Sequence, residues 1–168
     1  MLIDAIKLTL FPAMMAFAAA SDLITMTIAN RVTLILLGGF GLLAALTGMS
    51  AGAMLWHVAA AALVLAVVFV FFSCGWIGGG DAKLAAATAL WLGFAHLADY
   101  LFYASLFGGL LTLLIIQFRA LPLPQVFIGR EWAERLHRKG GGVPYGIALA
   151  ASALLVYPHS EWMAAGGF

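Results

Sequence analysis

The stretch Gly78-Gly79-Gly80-Asp81-Ala82-Lys83 stands between two long apolar runs, Ala59–Phe72 and Leu84–Phe94. Glycines lack a Cβ atom, so the backbone here can come close to another extended chain. A carboxylate at the mouth of an apolar membrane helix is costly, and its presence there indicates a function. A second carboxylate, Asp22, ends the first apolar run in the same way. We therefore expect Asp22 and Asp81 to meet at one edge of a membrane.

The composition indicates that this chain lies in a membrane rather than in water. Of its 168 residues, 65% are hydrophobic and only 9% are charged, whereas a soluble domain carries about 25% charged residues. We predict an all-α integral membrane protein with a single domain over residues 1–168. The net charge of +1 and the lack of a basic tract give no sign of nucleic-acid binding. The one cysteine, Cys74, excludes an internal disulfide and a multi-cysteine zinc site.

Six apolar runs approach the length of about 20 residues that a membrane-spanning helix needs. They are Leu2–Ala20, Val32–Thr47, Met54–Ser73, Ala82–Ala95, Leu97–Gln117 and Pro144–Tyr157. Glycine-rich segments separate several of them, which is typical of turns. The sequence therefore predicts six transmembrane helices.

Basic residues set the expected orientation, because loops on the cytoplasmic side carry an excess of lysine and arginine. With both termini outside, the inner side holds seven of the eight basic residues and only Lys7 stays outside. The seven are Arg31, Lys83, Arg119, Arg130, Arg135, Arg138 and Lys139. Asp22 and Asp81 then both lie at the cytoplasmic surface.

The largest inner loop contains a segment with helical character, Arg130–Arg138. Glu131 and Arg135, like Glu134 and Arg138, are spaced to form ion pairs one helical turn apart. We predict a short amphipathic helix between spans five and six, lying on the bilayer surface. A role in gripping substrate is the alternative.

Two carboxylates that share a site cannot both ionise cheaply, so the pair holds one proton between them. The charged partner can then act as a general base on water, while the protonated one polarises a peptide carbonyl. This chemistry needs no metal, no cofactor and no covalent intermediate. Irregular backbone at membrane depth also requires protein or a water-filled cavity around it, so we expect a wet pocket beside the glycines.

Structural explanations exist for each of these residues. Asp81 could serve as the N-cap of the following helix, and Asp22 could be an interfacial charge. Lys83 could be a membrane anchor whose stem lies along apolar surface. The four histidines show no metal-ligand spacing and are interpreted as structural. They are His57, His96, His137 and His159.

Three segments together resemble the type IV prepilin peptidases, membrane aspartyl proteases with a G-x-G-D motif. The first is Gly78–Leu84 followed by Leu90-Trp91-Leu92-Gly93, similar to the family's GGGDxKL and WLG stretches. The second is Asp22-Leu23 with Ile28-Ala29-Asn30, similar to D-L-x-x-x-x-I-P-N. The third is Val143-Pro144-Tyr145-Gly146, similar to P-[FY]-G at the start of the last helix.

The chain departs from the family pattern near Asp22. Ala29 stands where the family usually has proline, and residues 24–27 lack the basic side chains often found there. The length and the single cysteine leave no room for the cysteine-rich insert of the bifunctional, N-methylating members. The chain resembles the short, peptidase-only form associated with Flp and tight-adherence pili.

The resemblance implies an enzyme of the bacterial inner membrane. It would cut a short basic leader from prepilins, and possibly from pseudopilins, after a glycine that precedes the pilin's hydrophobic helix. Asp22 and Asp81 would be catalytic, with no cofactor and no metal. The supporting pocket residues would be Gly78, Gly79, Gly80, Lys83, Asn30, Pro144, Tyr145 and Gly146.

Two other classes of protein fit the same residues less closely. Intramembrane carboxylates and glycine-broken helices also occur in transporters, so a small proton-coupled carrier using Asp22 and Asp81 is one alternative. A non-enzymatic component of a pilus export machine is the other. No inverted repeat is visible in the sequence, which counts against the carrier.

Overall fold

The computed structural model describes residues 1–164, and over that range the chain is all-helical. Six α-helices follow one another in the order α1 Leu2–Thr25, α2 Asn30–Thr47, α3 Ala51–Ser73, α4 Gly79–Ala120, α5 Glu131–His137 and α6 Gly146–Val156. Short 3₁₀ turns occupy Gln125–Phe127 and Tyr157–His159. The carboxyl terminus, which was predicted to face outside, lies beyond the described residues.

Four of the helices, α1 to α4, are long and apolar enough to cross a membrane, and α6 with its following turn is a shorter apolar helix. Large apolar side chains are exposed along all four, for example Leu34, Leu63, Phe69 and Leu113. Lipid is a suitable solvent for such a surface, whereas water is not. The all-α membrane protein predicted from composition is therefore confirmed, while the number of spans and the placement of the termini stay predictions.

Helix α4 is broken at Gly93, whose φ of 62° and ψ of −175° lie in a region that only glycine adopts readily. The chain reverses there, because Thr112 in the second part lines the same cavity as Gly78 before the first part. The two parts, 79–92 and 94–120, correspond to the predicted runs Ala82–Ala95 and Leu97–Gln117. The break falls earlier than the sequence indicated, since the apolar run continues through Gly93 without a polar residue.

Two side chains compensate for the break at Gly93. A helix that stops leaves its last carbonyl groups without partners. Here the Leu90 carbonyl lies 2.7 Å from Nδ1 of buried His57, and the Trp91 carbonyl accepts a hydrogen bond from Nε1 of Trp162, also at 2.7 Å. His57 thus has the structural role expected of it.

The core of the bundle is centred on Trp91, which is fully buried. Its ring lies 5.1 Å from that of Phe11 and 5.3 Å from that of Trp162, and its Nε1 donates to the Leu36 carbonyl at 3.0 Å. Helix α6 packs against α1 and α4, and α2 also packs against these two helices. These contacts fix α1, α4 and α6 side by side.

Helix α5 confirms the short helix predicted from residues 130–138, but its predicted ion pairs are wrong. Glu134 instead accepts a hydrogen bond from the Gly129 N–H at 2.9 Å, and Arg135 donates to the Ile24 carbonyl at 2.8 Å. Neither Glu131 nor Glu134 forms a salt bridge within residues 1–164. The arginine contact holds α5 against the last turn of α1, where helix carbonyls lack intrahelical partners.

Candidate active site

Asp22 lies in the last turn of α1 and is buried, with 4% of its surface exposed. Its Oδ2 atom accepts a hydrogen bond of 2.7 Å from the N–H of Gly146, the first residue of α6. A merely interfacial charge would face water, so the alternative explanation of Asp22 is wrong. Burial of a carboxylate is costly unless it is hydrogen-bonded, and the end of α6 supplies that bond.

Asp81 is the third residue of α4, and the N-cap of that helix is Gly78. The alternative that Asp81 itself is the N-cap is therefore wrong. Its carboxyl group folds back toward Gly78, because Oδ2 lies 3.0 Å from the position that a Cβ atom would take at that glycine. This places the carboxyl group beside the α3–α4 connection, partly exposed.

The two aspartates line one cavity of about 290 Å³. Its walls are Asp22, the α1–α2 connection at residues 26–28, and the segment 78–81. We call it the dyad cavity. The two carboxyl groups are close enough for their charges to interact, and the Gly146 N–H donates to the carboxyl group of Asp22. Asp22 and Asp81 are 59 positions apart in sequence (81 − 22) and thus line one cavity.

The glycines at positions 78, 80 and 146 are required by close contacts around the dyad cavity. A Cβ atom at Gly78 would touch the Asp81 carboxyl, and one at Gly80 would lie 3.2 Å from Cβ of Ile28. At Gly146 it would lie 2.8 Å from Oδ2 of Asp22. A side chain at any of the three would displace a wall of the cavity or a carboxyl group.

A sequence model of the type IV leader peptidase family matches residues 9–113. The chain belongs to the type IV leader peptidase family. The matched range contains Asp22, Asn30, the glycine segment with Asp81, and Lys83, and it ends before Pro144. No significant similarity to a curated protein or to a solved structure was found. Membership in this family makes the chain a membrane-bound peptidase by class.

The third segment of the leader peptidase resemblance, Pro144-Tyr145-Gly146, reaches the same region although it lies outside the matched range. Pro144 is fully buried, and Tyr145 packs against Gly108 in the returning part of α4. Gly146 then presents its N–H to Asp22. The segment therefore joins α6 to both α4 and the carboxyl groups.

Lys83 and Asn30 sit beside the dyad cavity and do not line it. The Lys83 Nζ donates to Oδ1 of Asn30 at 3.0 Å, and both side chains are exposed. This bond ties the first turn of α2 to the first turns of α4. Lys83 therefore does more than anchor the chain at the membrane surface, because its bond to Asn30 connects the two helices that flank the dyad cavity.

A second cavity, of about 560 Å³, meets the dyad cavity at Gly78 and Asp81. Its other walls come from the α3–α4 connection, from Thr112 and from the α5–α6 connection with Val143 and Tyr145. We call it the tryptophan cavity, after Trp76 in its wall. Within residues 1–164 no group of three or more His, Cys, Asp or Glu side chains could hold a metal ion.

Three residues that line the two cavities were not predicted from the sequence, namely Ile28, Trp76 and Thr112. Ile28 was quoted as part of the resemblance, and its burial against Gly80 and Gly146 explains why an apolar residue stands there. Trp76 could have been predicted, because it is a large aromatic residue two positions before the glycine segment. Thr112 carried no signal, since only the chain reversal at Gly93 brings it near Asp81.

Proposed function

We propose that this chain is an aspartyl endopeptidase that removes the leader peptide from prepilins at the cytoplasmic face of the inner membrane. The observation that carries the proposal is the meeting of Asp22 and Asp81 at one cavity in a member of the leader peptidase family. A dyad built from two helices of one chain supports hydrolysis better than a single buried acid would.

In the proposed mechanism the two carboxyl groups share one proton. The charged partner takes a proton from a water molecule in the dyad cavity, and the resulting hydroxide attacks the peptide carbonyl. The protonated partner donates a hydrogen bond to the carbonyl oxygen as negative charge develops there. The carboxyl group that took the proton from water then passes it to the amide nitrogen as the C–N bond breaks. The other carboxyl group keeps its proton, so the pair again shares one proton.

The cytoplasmic placement rests on charge. The segments at the aspartate end of the bundle, including Arg31, Lys83 and the loop 121–145, carry most of the basic residues, which is the pattern of cytoplasmic loops. The proposal accordingly includes six spans with both termini outside. A prepilin could then present its leader from the cytoplasm while its hydrophobic helix remains in the bilayer.

The substrate in this proposal is a prepilin, or a pseudopilin, with a short basic leader that ends in glycine. The extended junction between leader and helix would lie along the glycine segment, where the lack of Cβ atoms lets two backbones approach. The proposal includes the Flp and tight-adherence type of pilus, which the resemblance noted from the sequence suggests. No cofactor takes part.

Purified protein in detergent, incubated with a prepilin, tests the proposal. The expected result is a shift of the substrate by the mass of its leader, unaffected by a metal chelator and absent with Asp81→Asn. Mass spectrometry of the products would locate the new end after a glycine. A carrier or a scaffold component would leave the prepilin uncut, and an uncut prepilin with a folded enzyme would refute the proposal.

A further inference from the structure

The inference concerns the tryptophan cavity, and it rests on the proposed function. Asp81 and Gly78 line this cavity as well as the dyad cavity, and the two linings share no other residue. A chain that crosses Asp81 in extended form therefore has one cavity on each side of it. The two ends of such a chain would meet different surroundings.

The two cavities lie between different helix connections. The dyad cavity is walled by residues 26–28, which connect the end of α1 at Thr25 to the start of α2 at Asn30. The tryptophan cavity is walled by residues 75–78 of the α3–α4 connection, by Thr112, and by Gly142, Val143 and Tyr145 before α6. The two cavities thus have walls from different parts of the chain and meet at Gly78 and Asp81.

The two cavities also differ in the chemistry of the side chains that line them. The tryptophan cavity has an apolar lining, formed by Trp76, Ile77 and Val143. The hydroxyl group of Thr112 donates a hydrogen bond to the Gly108 carbonyl at 2.8 Å, within its own helix. Exposed Phe71, in the last turn of α3, continues this apolar surface, because its ring lies 5.6 Å from that of Trp76. The dyad cavity is smaller and holds both carboxyl groups, so it suits a small residue at the end of a leader.

We propose that the tryptophan cavity binds the substrate residues that follow the scissile bond, the beginning of the apolar helix, and selects large apolar side chains there. The dyad cavity binds the leader side, ending in glycine. The assignment of the larger cavity follows from its continuity with the dyad cavity and from the match between its apolar walls and the apolar helix that follows the scissile bond. Val143 and Trp76 are then specificity-determining residues.

The test varies enzyme and substrate together. Four prepilins are prepared in which the residue after the scissile bond is Ala or Phe and the residue before the leader glycine is Ala or Leu. For each, kcat/KM is measured with the wild type and with Val143→Trp, Trp76→Ala and Thr27→Trp. Leu106→Trp, at an exposed position in the middle of α4, serves as the matched bulk control.

Val143→Trp fills the tryptophan cavity, so it should lower kcat/KM for Phe after the bond relative to Ala by about 10- to 200-fold, the range of apolar pocket selection. The preference on the leader side should stay as in the wild type. Thr27→Trp should show the reverse pattern, and Leu106→Trp should leave both preferences unchanged. If Val143→Trp does not fold, Trp76→Ala replaces it, because loss of that wall should reduce the wild-type preference for Phe over Ala.

The results separate two kinds of failure. If the wild type cuts none of the four prepilins, the proposed function fails. If it cuts them, and Val143→Trp or Trp76→Ala alters the leader-side preference or neither preference, only the assignment of the tryptophan cavity is overturned.

Discussion

The Gly146→Ala variant gives a prediction whose size follows from the distances around Asp22. The added Cβ atom would lie 2.8 Å from Oδ2 of Asp22 and 2.7 Å from Cδ1 of Ile28. Carbon atoms normally approach to about 3.5–4.0 Å, and Ile28 is buried. The carboxyl group therefore has to move, and its 2.7 Å hydrogen bond from the Gly146 N–H is lost or lengthened.

A hydrogen bond to a charged group contributes about 1.5–3 kcal/mol. If that orientation of Asp22 is needed in the transition state, kcat should fall by about 10- to 150-fold, since about 1.4 kcal/mol corresponds to one factor of ten. Initial rates of prepilin cleavage in detergent measure the loss. KM should change little, because Gly146 acts through Asp22 and lines neither cavity.

Gly109→Ala is the matched control, since a Cβ atom there meets nothing within 4 Å. It should cleave at the wild-type rate. Thermal unfolding in detergent shows whether both variants are folded. A folded Gly146→Ala enzyme with wild-type kcat would refute the claim that this glycine positions Asp22.

Glycine and alanine positions elsewhere in the chain provide three more predictions. Gly80→Ala should slow prepilin cleavage by about tenfold or more, because its Cβ atom would lie 3.2 Å from Cβ of buried Ile28. Gly79→Ala is the control and should be tolerated, since its Cβ atom meets only an exposed phenylalanine ring at 3.3 Å. Equal cleavage rates for the two variants would contradict this. Ala29→Pro should stabilise the fold by about 0.4–1 kcal/mol. Ala29 already has the backbone angles that proline needs, φ −65° and ψ 138°, and its N–H donates no hydrogen bond within residues 1–164. A lower midpoint of thermal unfolding in detergent would contradict this prediction. Gly93→Ala should destabilise by about 1–3 kcal/mol, because of its positive φ, and unchanged thermal unfolding would show that the break tolerates a side chain.

The sequence predicted those parts of the fold that depend on local composition. Apolar runs located α1, α2 and α3 to within a few residues, and the glycine segment marked the start of α4. The reversal at Gly93 was misplaced because a positive φ leaves no trace in an apolar run. It depends instead on partners from distant segments, His57 and Trp162, which satisfy the freed carbonyl groups.

For the candidate site, the sequence likewise predicted the residues better than it predicted their contacts. Asp22, Asp81 and the glycines could be named from charge in an apolar sequence and from the resemblance. Their meeting at one membrane edge was expected, but its geometry could not be derived, because it depends on the N-terminus of α6 reaching Asp22 across the bundle. The α5 ion pairs failed for a related reason, since Arg135 has a partner in the carbonyl of Ile24 that helix periodicity does not reveal.

A double-mutant cycle on the two carboxyl groups tests the dyad most directly. Prepilin cleavage is measured by mass spectrometry for Asp22→Asn, Asp81→Asn and the double variant, with folding checked for each. Residues that act as one unit have grossly non-additive effects. We predict that each single change abolishes cleavage and that the double variant is no worse than either. Substantial cleavage by a folded single variant, or losses that add in the double variant, would contradict a shared proton between Asp22 and Asp81.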